Sequence, residues 1–363
     1  MKKILILCNS CIGLYKFRKE LLEQLSLKEN EVYINTPYDN KEMLNKLGKI
    51  GGHFFKSRIN RRGMNPIEDM KLLLEYFNII RKIKPDYVLT YTIKPNLYGG
   101  FVCKTMKIPY LMNITGLGTS LEKENMLKKV LTIFYKNIMK SAKVVFFQNE
   151  SNKEYFTKLN FSFNYKLLPG SGVNIDYYKY QEYPKSDVIK FVFVARIMKE
   201  KGIEQYFEAA TYIKEKYPNT EFHICGFCEQ DYEDTINELS DMNVIVYHGL
   251  VEDMREIYRD MHCIIHPTFY PEGLSNVLLE ASASGKPIIT TNRPGCREVV
   301  IEGKNGFLIL ERNSKDLIEK IEKFLSLTHE QRKHMGLEGR KKIEKEFNRQ
   351  IVVSKYLDEL KEL

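Results

Sequence analysis

At 363 residues the chain is long enough for two domains of ordinary size, each with its own core. Its 43% apolar and 28% charged content is that of a soluble globular protein, and no apolar run reaches the length of a spanning helix. The seven cysteines are scattered, mostly through apolar strands, and Cys225-x-x-Cys228 has no second Cys or His pair at metal spacing. They read as reduced thiols of a cytosolic protein, and no metal site is expected. The net charge of +9 is uneven: residues 1–170 carry +15 and residues 171–363 carry −6. A basic first half calls for an anionic partner. With no nucleic-acid-binding signature beside it, a membrane surface is the partner expected, and nucleic acid is not; the plainer reading is a solvated lysine-rich surface.

In chain order, Lys3 to Cys8 is near-continuous Ile and Leu, the pattern of a parallel strand covered on both faces and not of a signal peptide. Asn9 to Gly13 reads as a loop, and Tyr15 to Leu27 shows helical spacing at Phe17, Leu21, Leu22 and Leu25. A strand, a Gly loop and a helix in succession place backbone N–H groups where a phosphate or sugar can meet them, though one Gly is also ordinary turn chemistry. Strands at 31–36 and 53–55 flank a short helix at 41–50. Lys56, Arg58, Arg61 and Arg62 form the densest cationic cluster, just ahead of a helix at 67–84, and suit a diphosphate or lipid headgroups. A strand at 86–91, a helix at 97–106 and a strand at 109–113 lead to Asn113-Ile-Thr115-Gly116-Leu117-Gly118. Residues 126–140 form an amphipathic helix with Leu127, Val130, Leu131, Phe134 and Ile138 on one side and Lys128, Lys129, Lys136 and Lys140 adding charge. A helix on a membrane surface and one packed on the sheet both fit that pattern.

Residues 165–187 read as the crossing between domains, with a turn-rich Pro169–Asn174. A second series of alternating strands and helices starts at Ile189. The strand 190–195 has Arg196 and Lys201 at its C-terminal end, ahead of a helix through Tyr206, Ala209 and Ile213. Open parallel sheets bind ligands at the C-terminal ends of their strands, and Arg-x4-Lys offers one planar fork and one point charge, a good diphosphate clamp. Strands at 220–225 and 244–248 end on Gly226-Phe227 and Gly249-Leu250. His248 reads as a loop residue and not a base.

The stretch 264–298 organises the second half. A strand ends at Ile265, and His266 to Ser275 is a Pro- and Gly-punctuated loop. A helix through Val277, Leu278, Leu279 and Ala281, capped by Ser275 or Asn276, ends at Gly285, before the strand 287–291. Glu272 and Glu280 bracket that helix's N-terminus, whose N–H groups and dipole suit a diphosphate. A nucleoside diphosphate sugar has the matching layout, hydroxyls on either side of a diphosphate.

Glu272-Gly-Leu-Ser-Asn-Val-Leu-Leu-Glu280-Ala, in step with Gly285-Lys-Pro287 and Gly295-x-x-Glu298, resembles the Glu-x7-Glu signature of the retaining glycosyltransferases grouped as family 4, which have the GT-B fold. The resemblance implies that Glu280 holds the ribose hydroxyls and Glu272 the donor sugar. Gly273 and the N–H groups of Leu274, Ser275 and Asn276 would lie near the sugar and diphosphate. Arg196 and Lys201 would take the two phosphates, Gly226 and Leu250 would sit by the base, and the Gly13 loop would close over the phosphates. Many members carry a histidine where Thr115 stands, so Thr115 or Asn113 is the candidate in its place. The Thr-Gly-Leu-Gly version is similar to that of transferases building bacterial surface glycans on undecaprenyl diphosphate, for which Arg61 and Arg62 are candidate acceptor contacts. His266 is assigned an environmental role.

The expected fold is α/β: GT-B, two doubly wound Rossmann-like domains facing a cleft. Residues 1–168 form the acceptor side, 169–347 the donor side, and 348–363 a helix crossing back. The expected activity is retaining transfer of a hexose or N-acetylhexosamine from a UDP-sugar to a lipid-linked saccharide, in bacterial capsule, O-antigen or glycoprotein glycan synthesis. No cofactor or metal takes part, Arg196 and Lys201 neutralising the leaving diphosphate, and the enzyme sits on the inner face of the cell membrane. The alternatives are a GT-B nucleotide-sugar epimerase, whose His and carboxylate constellation cannot be assembled from this sequence, and a non-catalytic nucleotide-sugar-binding partner of a polysaccharide assembly complex.

Overall fold

The computed structural model describes residues 1–60, 63, 65–116 and 126–361, with 126–128 described by backbone alone. The chain divides into two compact units: residues 1–172 together with the C-terminal segment from Arg349, and Val173–Asn348. All seven cysteines are free thiols and six are buried. No described helix is long and apolar enough to cross a membrane.

The first unit is a seven-stranded parallel sheet in the order β3-β2-β1-β4-β5-β6-β7, with β1 Lys3–Leu7, β2 Glu31–Thr36, β3 Gly52–Lys56, β4 Tyr87–Tyr91, β5 Tyr110–Ile114, β6 Val144–Phe147 and β7 Tyr165–Leu167. Helices cover both faces, which is why the strands are apolar at successive positions. Ile4, Ile6, Leu89, Leu111 and Phe146 pack beneath α1 (Cys11–Leu27) and α2 (Lys41–Gly48). Leu5, Leu7, Val88, Met112 and Phe147 pack beneath α3 (Pro66–Ile83), α4 (Gly100–Met106), α5 (Met126–Met139) and α6 (Glu150–Thr157). A π-helical turn, Pro95–Gly99, precedes α4, where a regular helix was expected.

The second unit is a six-stranded parallel sheet in the order β10-β9-β8-β11-β12-β13, with β8 Ile189–Val194, β9 Thr220–Cys225, β10 Val246–Tyr247, β11 Cys263–His266, β12 Ile288–Thr291 and β13 Gly306–Ile309. Its helices are α7 (Ile203–Lys216), α8 (Glu233–Asp241), α9 (Met254–Asp260), α10 (Asn276–Ala283), α11 (Ser314–Leu325) and α12 (His329–Lys342). In each sheet the chain winds outward from one strand, β1 or β8, and then returns to its other side, so β1/β4 and β8/β11 are the switch points where a doubly wound sheet opens a crevice.

The charged C-terminal stretch is not one helix. After α12 a π-helical turn (Ile343–Phe347) and the extended Asn348 (ψ 130°) break it, and α13 (Arg349–Lys361) packs on the first unit. Arg349 anchors it, its guanidinium donating to Glu20 at 3.0 and 3.2 Å and to the carbonyls of Lys16 (2.9 Å) and Gly172 (3.0 Å). Such a buried pair holds a fixed geometry more than it adds net stability, and removing one partner strands a buried charge.

Candidate functional site

In the second unit, the crevice at β8 and β11 gathers most of the residues singled out by sequence. β8 ends at Val194, Arg196 follows, and a 3-10 turn at Lys199–Lys201 leads to Gly202, which starts α7 with φ +79°. That conformation, and the 2.2 Å a Cβ there would leave to the Pro267 carbonyl oxygen, both demand glycine. The close crossing lets the Glu200 carbonyl accept from Phe269 N–H (2.9 Å) and Thr268 Oγ1 (3.3 Å), pinning the loop after β11 against the loop after β8.

Two residues that are 71 apart in sequence therefore meet: the Lys201 ammonium pairs with Glu272 Oε1. Arg196 pairs with Glu229. Between the two cations stands Tyr270, its ring 4.8 Å from Lys201 Nζ and 5.5 Å from the Arg196 guanidinium carbon, so it holds both by cation–π attraction. Burial by itself opposes ionisation of Glu272, but Lys201 and Arg196 outweigh it and hold its carboxyl below the usual range. For Arg196, the Glu229 partner likewise outweighs burial, and the guanidinium stays cationic. The site is a compact set of two cations and two carboxylates around one aromatic ring.

Glycine at 295 supports Glu272 from below. Its φ is +91°, and a Cβ would lie 2.7 Å from Glu272 Cβ. The Gly295 carbonyl accepts from Ser275 N–H (2.8 Å), and Gly295 N–H donates to Glu298 (2.8 Å). The expectation that the Ser275 amide is presented to a ligand is therefore corrected: the neighbouring loop uses it. Ser275 does occupy the N-cap position of α10, but its hydroxyl pairs with His266 Nε2 (3.3 Å) and caps nothing. Burial, then Lys201, pushes the His266 imidazole down to about 3, Glu272 opposing, so it is neutral at ordinary pH. Leu274 turns its side chain into the core, and Glu280 lies inside α10.

One strand over, Gly226 brings its N–H to the Gly249 carbonyl (2.8 Å), beside exposed Phe227 and Leu250. His248, just past β10, bonds the buried His223 of β9 (2.8 Å), which in turn meets Glu221 (3.1 Å).

The first unit overturns two expectations. The helix begins at Cys11, so Gly13 lies in its first turn and not in a loop, donating its N–H to the Ser10 cap hydroxyl (3.3 Å). That helix N-terminus already holds an anion, the Asp39 carboxylate, which accepts from Cys11 N–H (3.0 Å) and Ser10 Oγ (2.8 Å). Asn113 is 1% exposed, its side-chain oxygen accepting from Gln148 (3.1 Å) and its N–H donating to the Tyr356 hydroxyl of α13 (2.5 Å), so it stands as a buried connector and not as a surface presented to substrate. Thr115, just past β5, is half-buried. Arg61, Arg62, Leu117 and Gly118 lie outside the described residues.

Sequence reasoning missed Tyr270, Glu229 and Asp39. Tyr270 had a faint signal, an aromatic between Thr268 and Pro271 in the central loop; Glu229 and Asp39 had none, because each meets its partner only through the fold.

Residues 178–342 match the family described as glycosyl transferases group 1, and residues 3–149 match glycosyl transferase 4-like domains. This chain belongs to the glycosyltransferases. Among curated relatives, the Campylobacter jejuni N,N'-diacetylbacillosaminyl-diphospho-undecaprenol alpha-1,3-N-acetylgalactosaminyltransferase is 26% identical over 88% of each chain. The Staphylococcus aureus capsular polysaccharide biosynthesis glycosyltransferase CapM is 29% identical over 80% of each. The solved Anabaena HepE protein, in complex with UDP and glucose, matches the transferase along the whole of both chains with a TM-score of 0.77 at 15% identity, a likeness of GT-B fold.

Proposed function

We propose that this transferase moves a hexose or N-acetylhexosamine from a UDP-sugar to a lipid-linked saccharide, with retention at the anomeric carbon, in the assembly of a bacterial capsule, O-antigen or glycoprotein glycan. The observation that carries the donor side is the cluster of Arg196, Lys201 and Glu272 around Tyr270 at the β8/β11 switch point. Two fixed cations at that point meet the charge that grows on a leaving diphosphate, and they are preorganised, so little rearrangement is needed as the charge develops. In the front-face reaction the bond from the anomeric carbon to the phosphate oxygen breaks, the bond to the acceptor oxygen forms on the same face, and the acceptor proton passes to the departing phosphate. No separate base is then required, which fits the neutral, buried His266. Glu272 orients the donor sugar with Gly273 and the N–H groups of Leu274 and Asn276, Glu280 takes the ribose hydroxyls, and Gly226 and Leu250 flank the base. On the acceptor side the candidates are Thr115, Arg61 and Arg62.

The diphosphoundecaprenol named for the Campylobacter relative, and the UDP and glucose of the Anabaena complex, support the choice of acceptor and donor class. A lipid-borne acceptor places the enzyme at the inner face of the membrane, held through its basic first unit. The test is a screen of UDP-, GDP- and ADP-sugars with undecaprenyl-linked acceptors, following nucleotide release without added metal. One UDP-sugar should yield UDP, and Glu272→Ala and Arg196→Ala should each lose about two to three orders of magnitude in kcat/KM. UDP binding with no release from any donor across an acceptor panel would overturn the reading in favour of a binding protein.

A further inference from the structure

The two helical layers of the first unit are finished differently. Among the described residues of the layer formed by α1, α2 and α13, Leu27 at the end of α1 is the one large apolar side chain left exposed. The other layer is apolar on both sides. α3 buries Leu72, Tyr76, Ile80 and Ile83 against the sheet, yet Ile67 (66% exposed), Met70, Leu74 (54%) and Phe77 point outward. Their spacing of three, four and three residues puts them in a single stripe. α4 touches both α3 and α5 and adds exposed Phe101. α5 buries Tyr135, Ile138 and Met139 but exposes Val130, Ile133 (60%) and Phe134. The apolar side expected of that helix is thus only partly buried: Val130 and Phe134, at successive i, i+4 steps leading to buried Ile138, stay 44% and 45% exposed. Exposed apolar residues grouped across neighbouring elements mark a surface that something covers.

The charges on the same face say what covers it. Lys71 and Arg81 of α3, Lys104 of α4, and Lys129 and Lys140 of α5 are exposed between the apolar residues. Neither α4 nor α5 contains an Asp or Glu. The three carboxylates of α3 are engaged within the protein: Glu68 with Asn60 (3.3 Å), Asp69 with Lys94 (2.6 Å), and Glu75 with Asn35 (3.0 Å) and the Arg58 N–H (3.2 Å). Lysines are depleted from protein–protein interfaces, whereas apolar residues interleaved with lysines are the composition of a surface that enters the headgroup region of an anionic bilayer.

We propose that the outer face of α3, α4 and α5 is the docking surface for an anionic lipid bilayer, its apolar side chains entering the acyl boundary and its lysines meeting lipid phosphates. The inference rests on the membrane-borne acceptor and deepens that reading by naming the face and its two-part chemistry.

The test is co-sedimentation of the full chain with phosphatidylcholine vesicles with and without phosphatidylglycerol, with UDP affinity measured in parallel as a check on folding. Wild type should bind the anionic vesicles and fall off as salt rises. Leu74→Ser/Ile133→Ser should lose about tenfold or more in partitioning, and Lys129→Gln/Lys140→Gln about fivefold per lysine, both with unchanged UDP affinity. Anionic-vesicle binding that the apolar double variant leaves intact would overturn this face while leaving membrane attachment standing. No vesicle binding by wild type would overturn both, while the donor screen with detergent-dispersed acceptor would still decide the transferase reading. A wild-type dimer that the apolar variant makes monomeric, without vesicle binding, would assign the face to self-association and overturn the proposal.

Discussion

The turns after β1 and after β8 occupy the same place in two sheets of the same design, and they are built for opposite ends. After β1 the helix N-terminus is closed by the protein's own anion: Asp39 takes the Cys11 N–H and the Ser10 hydroxyl, and Ser10 takes the Gly13 N–H. After β8 the helix starts one turn later, behind Gly202, and the intervening residues supply two cations, Arg196 and Lys201, arranged around Tyr270. A helix N-terminus at a switch point is thus an offer of anion binding that the surrounding side chains either withdraw or reinforce. The doubly wound fold by itself does not say which.

The comparison can be broken first from the side of the first unit. Glu20→Ala leaves Arg349 buried without its carboxylate and should cost about 3–5 kcal/mol of that unit's stability in urea unfolding. UDP affinity, assigned to the second unit, should hold where the protein remains folded; a parallel fall in affinity would contradict the separation of roles. On the other side, Lys201→Ala should remove about 3–4 kcal/mol of transition-state stabilisation, read as a fall in kcat/KM of two to three orders of magnitude measured where the protein remains folded, because Glu272 loses its buried cation and the unfolding midpoint falls as well. Gly295→Ala should cost about 1–3 kcal/mol through strain at φ +91° and contact with Glu272. Its diagnostic is a larger loss in kcat than in UDP affinity, because the loop that carries Glu272 is displaced while Arg196 is not.

The smallest effect sharpens the contrast. Burial tends to raise the Asp39 carboxyl, but hydrogen bonds from Cys11 and Ser10 prevail and hold it below the usual carboxylate range. A folded pKa lower than the unfolded one contributes stability that is full above the unfolded value, near pH 4, and is lost as pH falls through the folded value. Asp39→Asn should therefore cost about 0.5–1 kcal/mol at neutral pH, kept small because Asp39 is exposed to water. The wild-type advantage in urea midpoint should vanish on acidification below that window. An Asn variant as stable as wild type at pH 7 would show that the carboxylate does not close the α1 terminus.

Much of the architecture was legible along the chain. The unbroken Ile and Leu of β1, followed by helical spacing, and the apolar run Ile288–Ile289, preceded by it, announce strands covered on both faces, so two parallel sheets follow from local pattern. Two boundaries slipped: Asp39, brought in from the loop after β2, closes α1 back at Cys11, and Asn348 breaks a charged stretch whose composition is helical throughout. At the candidate site, Arg196, Lys201 and Glu272 could be singled out along the chain because their residue types, in the loops after β8 and β11, suit a diphosphate sugar, and the structure brings the three together around Tyr270. Asn113 was misread because a polar residue at a strand end looks the same whether it faces solvent or a buried tyrosine hydroxyl 243 residues away.

The sequence by itself determined the alternation of strands and helices, the glutamate pair, the cationic pair and the basic first half, since each is written in residues close together in the chain. Only the tertiary structure decided that Lys201 belongs to Glu272, that Tyr270 sits between two cations, that Asp39 closes α1, and that, among the described residues, three helices present an exposed apolar and lysine-rich face. These are contacts and exposures among residues far apart in sequence. They are set by which elements pack together, and no local spacing encodes that.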